Sequence, residues 1–201
     1  MVMMTYADAA KLAIAEAMRN DPTVWCVGED LGRGGVFKQY AGLVEEFGAD
    51  RISDAPISEA AIMGAAFGAA LAGTRPVVEM RFADFALCAT DELVNQIAKA
   101  RYMFGGQSRA PMVIRKPMGM WRSSAAQHSQ SLESWYVHVP GLVVVCPATP
   151  QDNYAMMKAA IACDDPVVYL EHKDIWLNEG NVDTSLAAEF GKAHIRRSGR
   201  D

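Results

Sequence analysis

Glu59 is the residue of this chain whose surroundings most clearly suggest chemistry. It follows Pro56, opens a run of small and apolar residues, and is the only ionisable side chain between Asp54 and Arg75. Because burying an unpaired charge is costly, a carboxylate that opens an apolar helix needs a partner. The helix N-terminus favours its charged form, whereas apolar surroundings disfavour it. Glu59 is therefore either a helix-capping carboxylate or a catalytic carboxylate that holds a ligand.

His128 is the second candidate, because it lies in a polar loop at residues 127–131 from which a proton carrier could reach a substrate. No nucleophile elbow, H-E-x-x-H motif or Ser-His-Asp pattern accompanies it. Phe82 and Phe85 follow an apolar run, and by spacing alone such residues are more often part of the core than of a ligand platform. The sequence thus offers an acid and a base without indicating their substrate.

Composition narrows the class of protein. The chain has 201 residues, of which 51% are hydrophobic and 21% charged, as in an ordinary globular core. Its net charge of −5 and lack of a basic run argue against nucleic acid as a partner, and no apolar run reaches the roughly 20 residues of a membrane helix. The cysteines are far apart in apolar runs, which predicts reduced core thiols in a cytoplasmic protein: Cys26, Cys88, Cys146 and Cys163.

Alternating elements must position these candidates. Apolar runs predict strands at 24–28, 51–54, 75–80, 111–115, 142–146 and 166–171, and helical spacing predicts helices at 6–20, 42–47, 59–71, 87–102, 132–138 and 151–162. This pattern predicts an α/β fold with a doubly wound, mainly parallel sheet covered by helices on both faces. Ligands of such sheets bind beyond the carboxyl ends of the strands, so we expect Glu59, Phe85 and His128 on one rim.

The polar segment 178–201 adds no complete element in this interpretation. We therefore expect one domain at residues 4–177, followed by a linker at 178–201 towards a C-terminal domain that this chain lacks. The sequence does not distinguish a shortened chain from one half of a split gene.

Short segments along residues 4 to 180 follow one another in a known order. They include P-I-S-E-A at 56–60, F-A-D-F at 82–85, N-Q-I-A-K at 95–99, A-Q-H-S-Q-S at 126–131 and D-P-V-V at 165–168. In this order the chain resembles the N-terminal, transketolase-like pyrimidine-binding domain of the beta subunit of thiamine-diphosphate-dependent 2-oxoacid dehydrogenases. That subunit belongs to the decarboxylating component of the pyruvate, branched-chain 2-oxoacid and acetoin dehydrogenase complexes.

The resemblance implies a role for each candidate residue. At the position of Glu59 the family has a glutamate that hydrogen-bonds a ring nitrogen of the cofactor's aminopyrimidine and so helps to activate the thiazolium carbon. Phe85 matches the aromatic residue that packs on the pyrimidine, and Ile57 and Arg81 match further cofactor contacts. His128 matches the loop histidine implicated in acyl transfer to lipoamide. The implied reaction is oxidative decarboxylation of a 2-oxoacid, or acetoin cleavage, with acyl transfer to a lipoyl group.

The resemblance also implies partners. The family's G-D-G motif with its magnesium-binding asparagine is absent here and lies on the alpha subunit, so this chain would supply half of a site that is active only with that subunit. A second beta subunit and the lipoyl acyltransferase are the other implied partners. Some members hold a structural potassium ion by backbone carbonyls at positions matching Met112, Ala160, Ile161, Cys163 and Asp165.

Two other interpretations stay open from the sequence. The chain could be a catalytically inert subunit-assembly module, because the small residues at 64–69 suit close helix packing across an interface. A flavodoxin-like nucleotide-binding domain fits the alternation of elements but not the segments around Glu59 and His128. Residues 102–106 and 171–173 favour an acetoin- or pyruvate-type enzyme over a branched-chain type.

Overall fold

The computed structural model describes residues 1–192, 195 and 197–200. Its strands are β1 (Val2–Thr5), β2 (Val24–Gly28), β3 (Ile52–Asp54), β4 (Arg75–Glu79), β5 (Val113–Met118), β6 (Val143–Val145), β7 (Val167–His172) and β8 (Glu179–Val182). Six of them form a wholly parallel sheet in the order β3-β2-β4-β5-β7-β6. The parallel sheet predicted from the alternation of elements is therefore confirmed.

Helices cover both faces of this sheet. They are α1 (Tyr6–Asn20), α2 (Leu43–Phe47), α3 (Glu59–Leu71), α4 (Ala100–Met103), α5 (Glu133–Val137) and α6 (Pro150–Ala162). One apolar core lies between the sheet and the packed pair α1 and α6, and the other lies under α3, α5 and the segment that follows β4. The doubly wound architecture follows from these two cores.

Side-chain caps fix where the two longest helices of the first core begin. The hydroxyl of Thr5 accepts a hydrogen bond from the backbone N–H of Asp8 at 3.1 Å, and that of Thr149 accepts one from the N–H of Asp152 at 3.1 Å. Such caps satisfy one of the free N–H groups of a first helical turn. The predicted start of α1 after Thr5 is thus confirmed.

The single long helix predicted at 87–102 is wrong. The segment divides into a 3₁₀ turn at Phe85–Ala89, a π-helical turn at Glu92–Ile97 and α4. The hydroxyl of Thr90 donates to the carbonyl of Leu87 at 2.6 Å, and the N–H of Ala98 reaches the carbonyl of Leu93. These bonds replace the regular ladder of an α-helix, and π-turns of this kind are frequent at functional sites.

The prediction that the tail adds no element is also wrong. β8 pairs antiparallel with β1, with Val2 opposite Val182 and Thr5 opposite Glu179. Each strand is only 4 residues long, so neither shows a pattern without its distant partner. The linker assignment for the rest of 178–201 stays a prediction, and residues 193, 194, 196 and 201 lie outside the described residues.

Cysteine burial follows the prediction only in part. Cys26 is buried and Cys163 is half-buried, whereas Cys88 and Cys146 are exposed, so the prediction of core thiols is wrong for those two. All four are free thiols within this structure. In the described part of the chain, no helix combines the length and the hydrophobicity needed to cross a bilayer.

Candidate functional site

The carboxyl ends of the strands bring Phe85 and His128 together, as expected. The His128 ring lies 5.1 Å from the Phe85 ring and 4.9 Å from the Phe82 ring, measured between centroids, and the two phenylalanine rings are 5.2 Å apart. All three pairs meet edge to face, the geometry that ring quadrupoles favour. The sequence assigned Phe82 to the core; it is 9% exposed and also forms one side of this cluster.

Glu59 is the first residue of α3, and this helix packs against the turn that begins at Phe85. Ser58 precedes it without capping the helix, because its hydroxyl donates instead to the carbonyl of Pro56 at 2.9 Å. The Glu59 carboxylate makes no hydrogen bond or ion pair with any described residue. It is half-buried, so the expectation that the chain's own apolar residues enclose it is wrong. A carboxylate that caps nothing and pairs with nothing is available to a ligand.

A second carboxylate, which the sequence analysis missed, lies near Glu59. Glu29 follows β2, is 7% exposed, and accepts a hydrogen bond from Nη1 of Arg81 at 3.1 Å. Burial raises the pKa of Glu29; Arg81 opposes this shift, and the nearby charges of Glu59 and Asp30 add to it. The sequence could have indicated Glu29 as a site residue, because it directly follows a strand that ends at the rim.

Arg81 therefore binds carboxylates of its own chain. Besides Glu29 it contacts Asp30, with Nη2 3.2 Å from Oδ2, while its buried Nε has no hydrogen-bond partner. Ile57 is 74% exposed and contributes no wall to the cluster within this chain. The structure thus places Glu59, Phe85, His128 and Arg81 at one rim and leaves Ile57 facing solvent.

The carbonyls suggested for potassium lie at the opposite end of the strands from the rim, close to where β5 and β7 begin. Those of Ile161 and Cys163 both accept a hydrogen bond from Nη1 of Arg75 at 3.1 Å, and Nη2 of Arg75 lies 2.8 Å from Oδ1 of Asp164. The carbonyl of Met112 accepts from the N–H of Val167 at 2.9 Å. Among the described residues, no group of three or more His, Cys, Asp or Glu side chains could hold a metal ion.

A network of buried charges lies behind the rim, on the sheet face covered by α1 and α6. Arg115 on β5 is fully buried between Glu79 and Glu171, with Nη1 3.7 Å from Glu79 and Nη2 donating to Glu171 at 3.2 Å. Tyr40 and Gln39 donate to Glu79, at 3.0 and 3.2 Å. Glu171 thus belongs to this buried network, and the substrate preference inferred from residues 102–106 and 171–173 stays a prediction.

Comparison with known proteins shows which family and which relatives this chain resembles. The family model described as "Transketolase, pyrimidine binding domain" matches residues 2–176. The chain is 43% identical over 204 residues to the 2-oxoisovalerate dehydrogenase subunit beta of Bacillus subtilis, with 100% of this chain and 62% of the relative covered. It is 44% identical over 207 residues to the acetoin:2,6-dichlorophenolindophenol oxidoreductase subunit beta of Cupriavidus necator, with 95% and 61% covered.

A third relative is the mitochondrial pyruvate dehydrogenase E1 component subunit beta-1 of Arabidopsis thaliana, 42% identical over 204 residues, with 98% of this chain and 56% of the relative covered. The chain thus spans about three fifths of the length of these relatives, and their identities do not separate the three substrate types. A solved structure titled "Split gene transketolase, inactive beta4 tetramer" shares the fold, with a TM-score of 0.74 at 20% identity over 94% of this chain and 57% of that one.

Proposed function

The chain belongs to the transketolase pyrimidine-binding domain family, and we propose that it supplies the pyrimidine half of a thiamine-diphosphate site in a 2-oxoacid or acetoin dehydrogenase. The observation that carries this proposal is the unpaired Glu59 carboxylate on the helix that packs against Phe85. The similarity to dehydrogenase beta subunits supports the reaction type.

The residues at the rim fit an aminopyrimidine. Such a ring has nitrogens that bond a carboxylate and a flat apolar face, and Glu59 and Phe85 offer these two kinds of contact on neighbouring segments. When bound, thiamine diphosphate would supply the electron sink for decarboxylation. Glu59 would hold a proton at a ring nitrogen, Phe85 would orient the ring, and His128 would serve as proton carrier for acyl transfer to a lipoyl group.

A carboxylate of this kind is most useful when water is excluded, and in this chain Glu59 is only half-buried. We propose that an alpha subunit completes the enclosure and provides the diphosphate and magnesium contacts. The open face of α3 supports a partner there: Ala61, Ala65 and Gly68 are exposed, and a Cβ added at Gly64 or Gly68 would meet no atom within 4 Å. A second beta subunit and a lipoyl acyltransferase are further proposed partners.

Calorimetric titration tests the half-site. Thiamine diphosphate with magnesium is titrated into the chain alone, into its complex with an alpha subunit, and into the same complex carrying Glu59→Gln. We expect the cofactor to bind to the complex, and we expect Glu59→Gln to abolish this binding. Glu45→Gln is the matched control, because Glu45 is an exposed first-turn carboxylate on α2, away from the rim.

Other outcomes distinguish the alternatives. Equally tight binding to the isolated chain would mean that the diphosphate site lies on this chain. No binding in a complex shown to assemble would favour the catalytically inert assembly module, for which the exposed small residues of α3 are the supporting observation.

The potassium ion also stays a proposal, at the carbonyls of Met112, Ala160, Ile161, Cys163 and Asp165. Arg75 already donates to two of these carbonyls, so a bound ion would have to share them with a guanidinium. Thermal unfolding measured in potassium chloride and in choline chloride, at equal ionic strength, tests whether the ion binds.

We also propose a cytoplasmic location for the protein, as expected from its unpaired thiols.

A further inference from the structure

His128 lies near the end of a loop that is closed at its base. The N–H of Gly119 donates to the carbonyl of Gln130 at 3.0 Å, which joins the two ends. The tip is strained, because Arg122, Ser123 and Ala125 have φ angles of 45°, 55° and 63°, in a region that side chains disfavour. A strained tip does not fix a side chain by itself, so the position of His128 depends on what holds the base.

Lys173 holds one side of that base. It follows β7, is 2% exposed, and its Nζ donates a hydrogen bond to the backbone carbonyl of His128. The same Nζ lies 4.3 Å from the centre of the Phe82 ring, one of the two rings that flank the imidazole. A charge-assisted bond in a buried setting is stronger than an ordinary one, so this contact restrains the loop at His128 itself.

Asp84 holds the other side. It is 6% exposed, and its Oδ1 accepts hydrogen bonds from Gln130, at 2.8 Å from Nε2 and 3.3 Å from the backbone N. Burial lowers the pKa of Lys173, and the Asp84 carboxylate opposes this shift. The two residues contact backbone atoms two positions apart in the loop.

We propose that Lys173 and Asp84 are positioning residues that fix the His128 imidazole against Phe82 and Phe85 for acyl transfer. Neither side chain needs to touch the reacting atoms, because Lys173 acts through the backbone carbonyl of His128 and Asp84 acts through Gln130. The functional consequence rests on the proposed function, whereas the positioning itself can be measured without cofactor or substrate.

The step that would depend on this positioning is reductive acylation of a lipoyl group. The sulfur–sulfur bond breaks, one sulfur bonds the acyl carbon, and the other takes a proton, while the two electrons come from the decarboxylated substrate. His128 would supply that proton. Misplacing a proton carrier by about 1 Å costs on the order of 100-fold in rate.

The first test measures the position of the ring in the 201-residue chain, without cofactor. Flanking aromatic rings shift the NMR signals of imidazole protons, so Lys173→Met should move the His128 signals towards those of a solvent-exposed histidine, and Lys173→Arg should largely restore them. Trypsin should cleave after Arg122 about 10-fold faster in Lys173→Met, because the loop opens more often. Asp84→Ala should have the same two effects.

Lys99→Met is the matched control. Lys99 also donates to a backbone carbonyl, that of Pro140 at 2.8 Å, but far from the rim, so its loss should leave the His128 signals and the cleavage rate unchanged. Unchanged His128 signals in both Lys173→Met and Asp84→Ala, with folding shown by circular dichroism, would overturn the proposal.

The second test separates transfer from decarboxylation in the complex with an alpha subunit. Substrate oxidation is followed with a redox dye, which accepts the electrons directly, and with a lipoyl domain. In Lys173→Met the lipoyl-linked rate should fall about 10-fold or more while the dye-linked rate stays near wild type. If wild type reduces neither acceptor, the proposed function fails while the NMR test still decides the positioning. Equal losses with both acceptors would contradict the assigned role.

Discussion

The charges around Arg115 and the charges at the rim obey different constraints. Arg115, Glu79 and Glu171 are almost fully buried, and each is bonded to a partner that the chain itself supplies. Glu59 is half-buried and unpaired, although it opens a helix on the same sheet. Burying a charge is costly unless the chain itself pairs it, whereas a half-exposed charge remains available to a ligand.

This difference shows that a shifted pKa does not by itself mark a site. Burial raises the pKa of Glu79 to about 7, with Arg115 acting against the shift, yet Glu79 lies behind the rim, 2% exposed and bonded to residues of its own chain. Structural ion networks perturb pKa values as active sites do. In this chain the free carboxylate at the strand ends is the better guide to function.

Lys116 departs from the rule for buried charges. It is adjacent to Arg115 on β5 but points to the opposite face of the sheet, is fully buried, and has no hydrogen-bond partner for its Nζ. Its Nζ lies over the Tyr136 ring, 3.7 Å from the ring centre. Two adjacent basic residues on one strand thus allow a paired side chain to be compared with one that has no hydrogen-bond partner.

The largest effect on stability is expected from Arg115→Met. Removing the guanidinium leaves Glu79 and Glu171 buried without a cation, which costs about 3–5 kcal/mol of the free energy of unfolding. Urea titration followed by circular dichroism measures this loss. Arg109→Met is the control, because that exposed ion pair with Asp164 should matter little. A loss no larger than that of the control would show that the network does not need its cation.

Lys116→Met should instead stabilise the chain, by about 1–3 kcal/mol at pH 7, because it removes a buried polar group without a partner. Burial lowers the pKa of Lys116 well below its usual value. The unfolded chain therefore binds the proton at higher pH than the folded one, and wild type loses stability as the pH falls from about 10.4. The advantage of the variant should shrink as the pH is raised towards 10. A pH-independent difference would contradict the assignment of the effect to this amine.

Glu79→Gln tests the acidic side of the network. Because the folded pKa of Glu79 is raised to about 7, the stability of wild type relative to the variant is greatest below the unfolded pKa of about 4.3 and is lost as the pH rises through 7. Between pH 4.5 and 7.5 wild type should lose about 3 kcal/mol relative to the variant. Unfolding titrations at several pH values measure the difference, and parallel curves would place the pKa of Glu79 near its ordinary value.

The sequence predicted the parallel sheet and its rim because hydrophobic runs and helical spacing are local signals. It missed β1 and β8 because short edge strands are defined by a partner at the far end of the chain. At the site, the positions of Glu59, Phe85 and His128 at strand ends followed from the topology. The contact of Glu29 with Arg81 and that of Lys173 with His128 could not be found in this way, since only the fold brings together the segments that follow β2, β4 and β7 and the loop of His128.

The smallest effect on stability is expected from Glu59→Gln. Its carboxylate makes no hydrogen bond or ion pair within the described chain, so the free energy of unfolding should stay within about 0.5 kcal/mol of wild type. The same substitution should abolish cofactor binding in the complex with an alpha subunit. Urea titration of the variant beside the calorimetry therefore separates function from folding at one residue. If Glu59→Gln instead destabilised the chain as much as Arg115→Met, Glu59 would be a structural charge, and the contrast between rim and core would not hold.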